Sequence, residues 1–90
     1  MAKAVADPDD LRHFAMNLKK FTGGLRQQMT ALNGQASSLG QTWRDQEHQK
    51  FAAEFEETMR AMARFCDSAE QHVPFLVRKA ERLEEYLKQR

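Results

Sequence analysis

The predicted fold of this chain depends on the stretch LGQTWRDQEHQKF, residues 39–51. It holds the only tryptophan, Trp43, and it lies between two long segments with helical patterning. Glycine commonly follows the end of a helix, and threonine or aspartate commonly precedes the start of the next one. We therefore predict a turn at about residues 40–45, which reverses the chain and makes an antiparallel hairpin of two helices.

The segment before the turn is predicted to form one helix, from about residue 8 to about residue 40. Asp7 can cap the start of this helix, and Pro8 suits its first position. The internal pair Gly23 and Gly24 is compatible with a close helix crossing, but we favour a locally weakened helix. The apolar seam is carried by leucines at every seventh position, which are Leu11, Leu18, Leu25, Leu32 and Leu39.

The segment after the turn is predicted to form a second helix, from about residue 45 to about residue 88. One apolar column, spaced by seven, contains Phe55, Met62, Ala69, Leu76 and Leu83. Neighbouring columns add Phe51, Phe65 and Tyr86 on one flank and Met59, Cys66 and Val73 on the other. The apolar stripe continues past Pro74, so we expect a kink near residues 70–74 rather than a helix end.

The apolar stripe of the second helix is wider than a single helix–helix contact can bury. A monomer would leave a sizeable apolar patch exposed, so we predict an all-α fold in which two antiparallel two-helix hairpins dimerise into a four-helix bundle. Residues 1–7 are predicted to be a short flexible N-terminus, and residues 8–90 a single helical-hairpin domain. The candidate residues for the interface with a partner are Phe51, Phe55, Met59, Met62, Phe65, Val73 and Tyr86.

Composition argues against several classes of function. The 90-residue chain has a net charge of +1 and no long apolar run, which gives no case for binding nucleic acid or spanning a membrane. Its histidines, His13, His48 and His72, lack the spacing of a metal site, and Cys66 has no activating base at helical spacing. We therefore predict a non-enzymatic protein without cofactor or metal. The N-terminus is unlike a secretory signal peptide, which predicts a cytoplasmic protein and leaves export without a cleaved signal open.

The arrangement of a lone tryptophan at a turn between two heptad-patterned helices resembles the hundred-residue WXG (Trp-Xaa-Gly) family of type VII secretion. The resemblance covers essentially the whole chain, and it rests on Trp43, on Phe51 and Phe55 in the following helix, and on the heptads. The motif is Trp43, Arg44, Asp45 here, so aspartate replaces the glycine. The family's C-terminal export signal, Tyr-Xaa-Xaa-Xaa-Asp/Glu, is incomplete, because Arg90 stands four residues after Tyr86.

The resemblance implies an interaction protein that dimerises with itself or with a related hairpin and serves as a secretion-associated substrate, chaperone or adaptor. It also implies a larger secreted protein or a secretion ATPase as a further partner. The alternative is a generic cytoplasmic helical hairpin that acts as a scaffold or oligomerisation module without a link to secretion. Trp43 has two compatible roles in the first interpretation, closing the end of the bundle and contributing to a recognition surface.

Overall fold

The computed structural model describes residues 6–89, which form two α-helices joined by one turn. Helix α1 spans Pro8–Leu39, and helix α2 spans Gln46–Lys88 and continues through Pro74. The helices pack against each other as a hairpin, a rod whose Cα atoms extend over 68 × 17 × 17 Å. No strand occurs among residues 6–89, so the predicted all-α hairpin is confirmed. Most of the segment predicted to be flexible, residues 1–5, lies outside the described residues.

Aspartate side chains cap the start of both helices. Asp7 precedes α1, and its Oδ1 accepts a hydrogen bond from the backbone N–H of Asp9 at 2.8 Å. Asp45 precedes α2, and its Oδ1 accepts one from the backbone N–H of His48 at 3.0 Å. A helix start leaves several amide groups without a partner, and each aspartate satisfies one of them. Asp45 thus acts as an N-cap where the motif has glycine.

The turn is held by hydrogen bonds to carbonyl groups at the end of α1 and within the turn itself. The Gly40 N–H donates to the carbonyl of Ala36 at 3.3 Å, and the Trp43 N–H donates to the carbonyl of Leu39 at 3.0 Å. Nε of Arg44 donates to the carbonyl of Gln41 at 3.1 Å. Because these bonds fold the chain back on the end of α1, Trp43 comes to lie beside the first turns of α2.

The two helices meet mainly through small side chains, and the leucine column predicted as the seam is displaced to its flank. The buried residues are Ala15, Thr22 and Met29 on α1, and Met59, Cys66, Ala69 and Ala80 on α2. Leu32 and Leu39 remain 44% and 43% exposed. The distance between packed helices depends on the side chains at the contact, so small residues allow a close approach that leaves no room for a central leucine column.

Gly23 and Gly24 do not mark a close helix crossing. A Cβ atom added at either position would meet no atom within 4 Å. An open groove of about 420 Å³ lies between Gly23 and Pro74 of the facing helix. Glycine and proline both weaken a helix interior, so α1 and α2 carry their weakest positions at the same level of the hairpin.

Candidate interaction surface

The hairpin has two faces of opposite character, one on each side of the plane that contains the helix axes. On the first, termed the ion-pair face, Arg12 donates to both carboxylate oxygens of Glu84 at 2.6 and 2.7 Å. Arg26 donates to Glu70 at 2.7 and 2.9 Å and to Asp67 at 2.8 Å. Basic residues of α1 thus meet acidic residues of α2 within the chain.

The ion pairs shift the acidity of the carboxyl groups. Hydrogen bonds from Arg26 hold the pKa of Glu70 below its ordinary value, and hydrogen bonds from Arg12 do the same for the pKa of Glu84. These four side chains are between 35% and 42% exposed. Since exposed ion pairs contribute little net stability, their main effect is to fix the register of the two helices.

The second face, termed the apolar face, carries large side chains that the hairpin leaves uncovered. They are Phe14, Phe21, Leu32 and Leu39 on α1, and Phe51, Phe65, Phe75 and Tyr86 on α2, each between 37% and 61% exposed. Phe21 and Phe65 join the two helices edge to face, with ring centroids 6.3 Å apart. At about 100° per residue, Phe21 lies about 140° around α1 from Arg26, which separates the two faces. Large exposed apolar patches usually mark interaction sites.

A groove of about 390 Å³ opens on the apolar face, in the half of the hairpin that contains the first turns of α1. Its lining includes Phe14, Leu18, Phe65, His72 and Phe75. Because the walls are mostly apolar and aromatic, the groove suits an apolar side chain of a partner better than a polar ligand.

At the turn, four rings form an aromatic cluster, termed the turn cluster, that consists of Trp43, His48, Phe51 and Phe55. The centroid of the Trp43 indole lies 5.1 Å from that of His48 and 5.6 Å from that of Phe51, and Phe51 stacks on Phe55 at 5.6 Å. An open groove of about 590 Å³ runs from this cluster between the helices. Trp43 is half-buried, so it packs against α2 and also contributes to the surface.

The residues predicted as interface candidates divide between surface and core. Phe51, Phe65 and Tyr86 lie on the apolar face, whereas the half-buried candidates are Phe55, Met62 and Val73. Met59 is only 6% exposed and lies in the core, because its column on α2 faces α1. The sequence prediction did not include Phe14, Phe21 or Phe75. The seven-residue spacing of Phe14 and Phe21 was a usable indication for these two.

Residues 6–89 were expected from the sequence to hold no metal site and no reactive thiol, and the surroundings of their histidines, carboxylates and cysteine bear on both points. Within residues 6–89, no three histidine, cysteine, aspartate or glutamate side chains are grouped so that they could hold a metal ion. Cys66 is fully buried in the core, where a substrate in solution does not reach it. In the same part of the chain, neither helix has a stretch that is long and apolar enough to cross a membrane.

These features define a class of small two-helix protein with one ion-paired face and one exposed apolar face. Residues 5–86 match the family described as WXG100, proteins of 100 residues with WXG, and the chain belongs to this family. Its members are small helical proteins associated with secretion, and they typically form dimers of helical hairpins. No curated protein and no solved structure matches the chain.

Proposed function

We propose that this chain is a non-enzymatic binding protein of type VII secretion, and that a second helical hairpin covers its apolar face. The contrast between the two faces carries the proposal. Charges on the ion-pair face are paired within the chain, whereas the large side chains of the apolar face have water on one side. Burial of apolar surface drives most protein association, so this face gains most from a partner. Membership of the WXG100 family supports the link to secretion.

The shape of the molecule suits a partner of the same kind. Two hairpins that pack through their apolar faces make a four-helix bundle. A face of 68 × 17 Å offers on the order of 1,000 Å², and a standard interface buries about 800 Å² on each partner. The resulting dimer is the unit that acts as a secretion substrate or as an adaptor for a larger secreted protein, with a secretion ATPase as the receptor.

Capture of partners from the native cell tests this function. The tagged full chain is compared with Phe65→Ser and with a matched control, Met16→Ser. Met16 is 70% exposed and apolar, but it lies on α1 away from the apolar face. We expect the natural chain and the control to retain a second hairpin, either an untagged copy or a related protein, together with components of the secretion apparatus. The Phe65→Ser variant should retain much less of this second hairpin. Truncating an aromatic anchor often costs about 2 kcal/mol of binding free energy, roughly thirtyfold in affinity.

Two outcomes contradict the proposal. Equal capture by Phe65→Ser and Met16→Ser would show that the apolar face is not the binding surface. Loss of capture in Phe65→Ser, with partners that have no connection to secretion, would instead favour a general scaffold or oligomerisation module.

A further inference from the structure

We propose that the groove between Gly23 and Pro74 binds the carboxyl-terminal residue of a partner polypeptide, and that this terminal residue has an apolar side chain. The groove opens on the ion-pair face, so it stays accessible when a second hairpin covers the apolar face on the other side. The proposal goes beyond the proposed function and does not depend on it. The groove is lined by Lys19, Thr22, Gly23, Glu70, Val73 and Pro74.

The groove lies between two levels of the hairpin at which ion pairs bridge the helices. The pairs Arg12–Glu84 and Arg26–Glu70 fix the antiparallel register of this face. Lys19 is seven residues from each of the two arginines, and Val77 is seven residues from each of the two glutamates, so Lys19 and Val77 share a level. A basic residue therefore faces an apolar one here, whereas at the two neighbouring levels a basic residue faces an acid.

Lys19 provides a positive charge that the hairpin itself does not use. The side chain is exposed, and within residues 6–89 it belongs to no ion pair. The carboxylate of Glu70, which also lines the groove, accepts hydrogen bonds from Arg26 at 2.7 and 2.9 Å. An anionic group of a ligand would therefore gain the ammonium group of Lys19 without displacing an ion pair of the hairpin.

Pro74 leaves a hydrogen-bond acceptor at the wall of the groove. Because proline has no backbone N–H, the carbonyl of Glu70 lacks the donor that an α-helix supplies four residues later. The hydroxyl of Thr22 is buried and already donates to the carbonyl of Lys19 at 3.0 Å. The groove thus presents an ammonium group and a backbone carbonyl to a ligand.

The end of a polypeptide chain matches these two groups. A terminal residue has a carboxylate for Lys19 and an amide N–H for the carbonyl of Glu70, and capture of a terminal carboxylate is a recurring mode of peptide recognition. Its side chain would meet Val73, the Pro74 ring and the space beside Gly23, where an added Cβ would contact no atom within 4 Å. A glutamate inside a chain would bring the charge but no apolar group next to it.

Fluorescence polarisation on the purified full chain tests the proposal, with a peptide that carries fluorescein at its N-terminus and ends in leucine. We expect the free acid to bind at least about tenfold more tightly than the same peptide with a terminal amide, which lacks the charge. A free acid that ends in serine should bind about tenfold more weakly than the one that ends in leucine, because it buries less apolar surface. An amidated peptide with glutamate as its last residue should bind no better than the leucine amide.

Three substitutions remove the parts of the groove one at a time. Lys19→Gln removes the charge and should raise the peptide Kd about tenfold, whereas Lys20→Gln, at an exposed position about 100° around α1, should leave it unchanged. Gly23→Leu fills the groove and should abolish binding, whereas Gly34→Leu, at another glycine with no atom within 4 Å of an added Cβ, should not alter the Kd. Pro74→Ala returns a backbone N–H to the free carbonyl and should raise the Kd about fivefold.

Thermal melts followed by circular dichroism separate loss of the site from loss of the fold. The variants at Gly23 and Pro74 replace residues that weaken a helix, so both should melt no lower than the natural chain. Binding of the free acid that is indifferent to Lys19→Gln and Gly23→Leu would overturn the groove as the site. Equal binding of the free acid and either amidated peptide would overturn the terminal carboxylate as the recognised group. Absence of binding at about 1 mM chain would overturn the whole proposal, and would leave the proposed function of the apolar face unaffected.

Discussion

Arg12 and Glu84 form a two-point ion pair at the open end of the hairpin, although 72 residues separate them along the chain. Both guanidinium Nη atoms donate, at 2.7 and 2.6 Å, to the two carboxylate oxygens. Together with the contacts of Arg26, this pair keeps the helices in register over the half of the rod that is farthest from the turn.

The ion pairs make the stability of the fold depend on pH in the acid range. The pKa values of Glu70 and Glu84 lie below the ordinary 4.5, so their contribution is fully present above about pH 4.5 and is lost as the pH falls through the folded-state values. We expect the midpoint of thermal unfolding to fall more steeply from about pH 5 to about pH 3 in the natural chain than in the variant Glu70→Gln/Glu84→Gln. Identical pH profiles for the two chains would show that other carboxyl groups control the acid response.

A further prediction concerns the hydrophobic core, where Met59 is 6% exposed. Met59→Ala removes a buried side chain and leaves a cavity between the helices, so the free energy of unfolding should fall by about 2–5 kcal/mol. Met16→Ala makes the same change at a site that is 70% exposed and should cost less than about 0.5 kcal/mol. Urea denaturation followed by circular dichroism measures both. Similar costs at the two sites would mean that the seam lies elsewhere.

Asp45 should be the residue that matters most for the start of α2. Asp45→Ala removes the acceptor of the His48 N–H, and we expect it to lower the free energy of unfolding by about 1 kcal/mol. Asp45→Gly should cost only a few tenths of that amount, and Asp45→Ser should be nearly neutral, because both are acceptable N-cap residues. If alanine were as stable as serine here, the capping bond would have no energetic role.

The glycines of α1 offer a stabilising change. Gly23→Ala adds a methyl group that meets no atom within 4 Å and restricts the unfolded chain, so it should raise the free energy of unfolding by about 0.5–1 kcal/mol. Gly40→Ala is the matched control, because its Cβ would lie 3.3 Å from the His48 ring. We expect no gain there. A loss of stability in Gly23→Ala would imply that this position needs glycine for a contact on its open side.

Trp43→Ala tests the role of the turn cluster. The indole packs against His48 and Phe51 but is only half-buried, so its removal should cost roughly 1–3 kcal/mol, less than the 3–5 kcal/mol typical of a fully buried aromatic residue. Trp43→Phe should recover most of this loss. Thermal melts and partner capture are measured on the same preparations. A folded, fully stable Trp43→Ala protein that captures less partner would assign the indole to recognition alone.

The positions of the helices could be predicted from the sequence because local residues determine them. Asp7 and Asp45 cap the helices, and Gly40 follows the first one. The seam could not be placed as well. Seven-residue spacing relates the leucines around Leu25, and it also relates Ala15, Thr22 and Met29. Which of these two columns faces α2 depends on how closely the two helix backbones approach, and that distance is a property of both helices together.

The exposed apolar residues were predicted on α2 but not on α1, because the side of α1 that faces α2 could not be identified from its sequence alone. Phe51 and Phe65 were recognised because α2 carries more apolar columns than one contact can bury. On α1 the apolar seam was placed at the leucines and no surface residues were predicted, and the rotation of α1 toward its small residues brings the rings of Phe14 and Phe21 to the surface. The ion pairs depend on the same rotation, so local sequence does not reveal them.

The Arg12–Glu84 pair also determines how the hairpin responds to force. The first turn of α1 and the last turn of α2 lie side by side. A force that separates these two ends therefore loads the contacts between the helices sequentially, one turn at a time. Each step breaks only a few contacts, in contrast to a shearing load that must break all of them together. Mechanical unfolding should therefore begin with this ion pair, advance along the rod, and reach the turn cluster around Trp43 last.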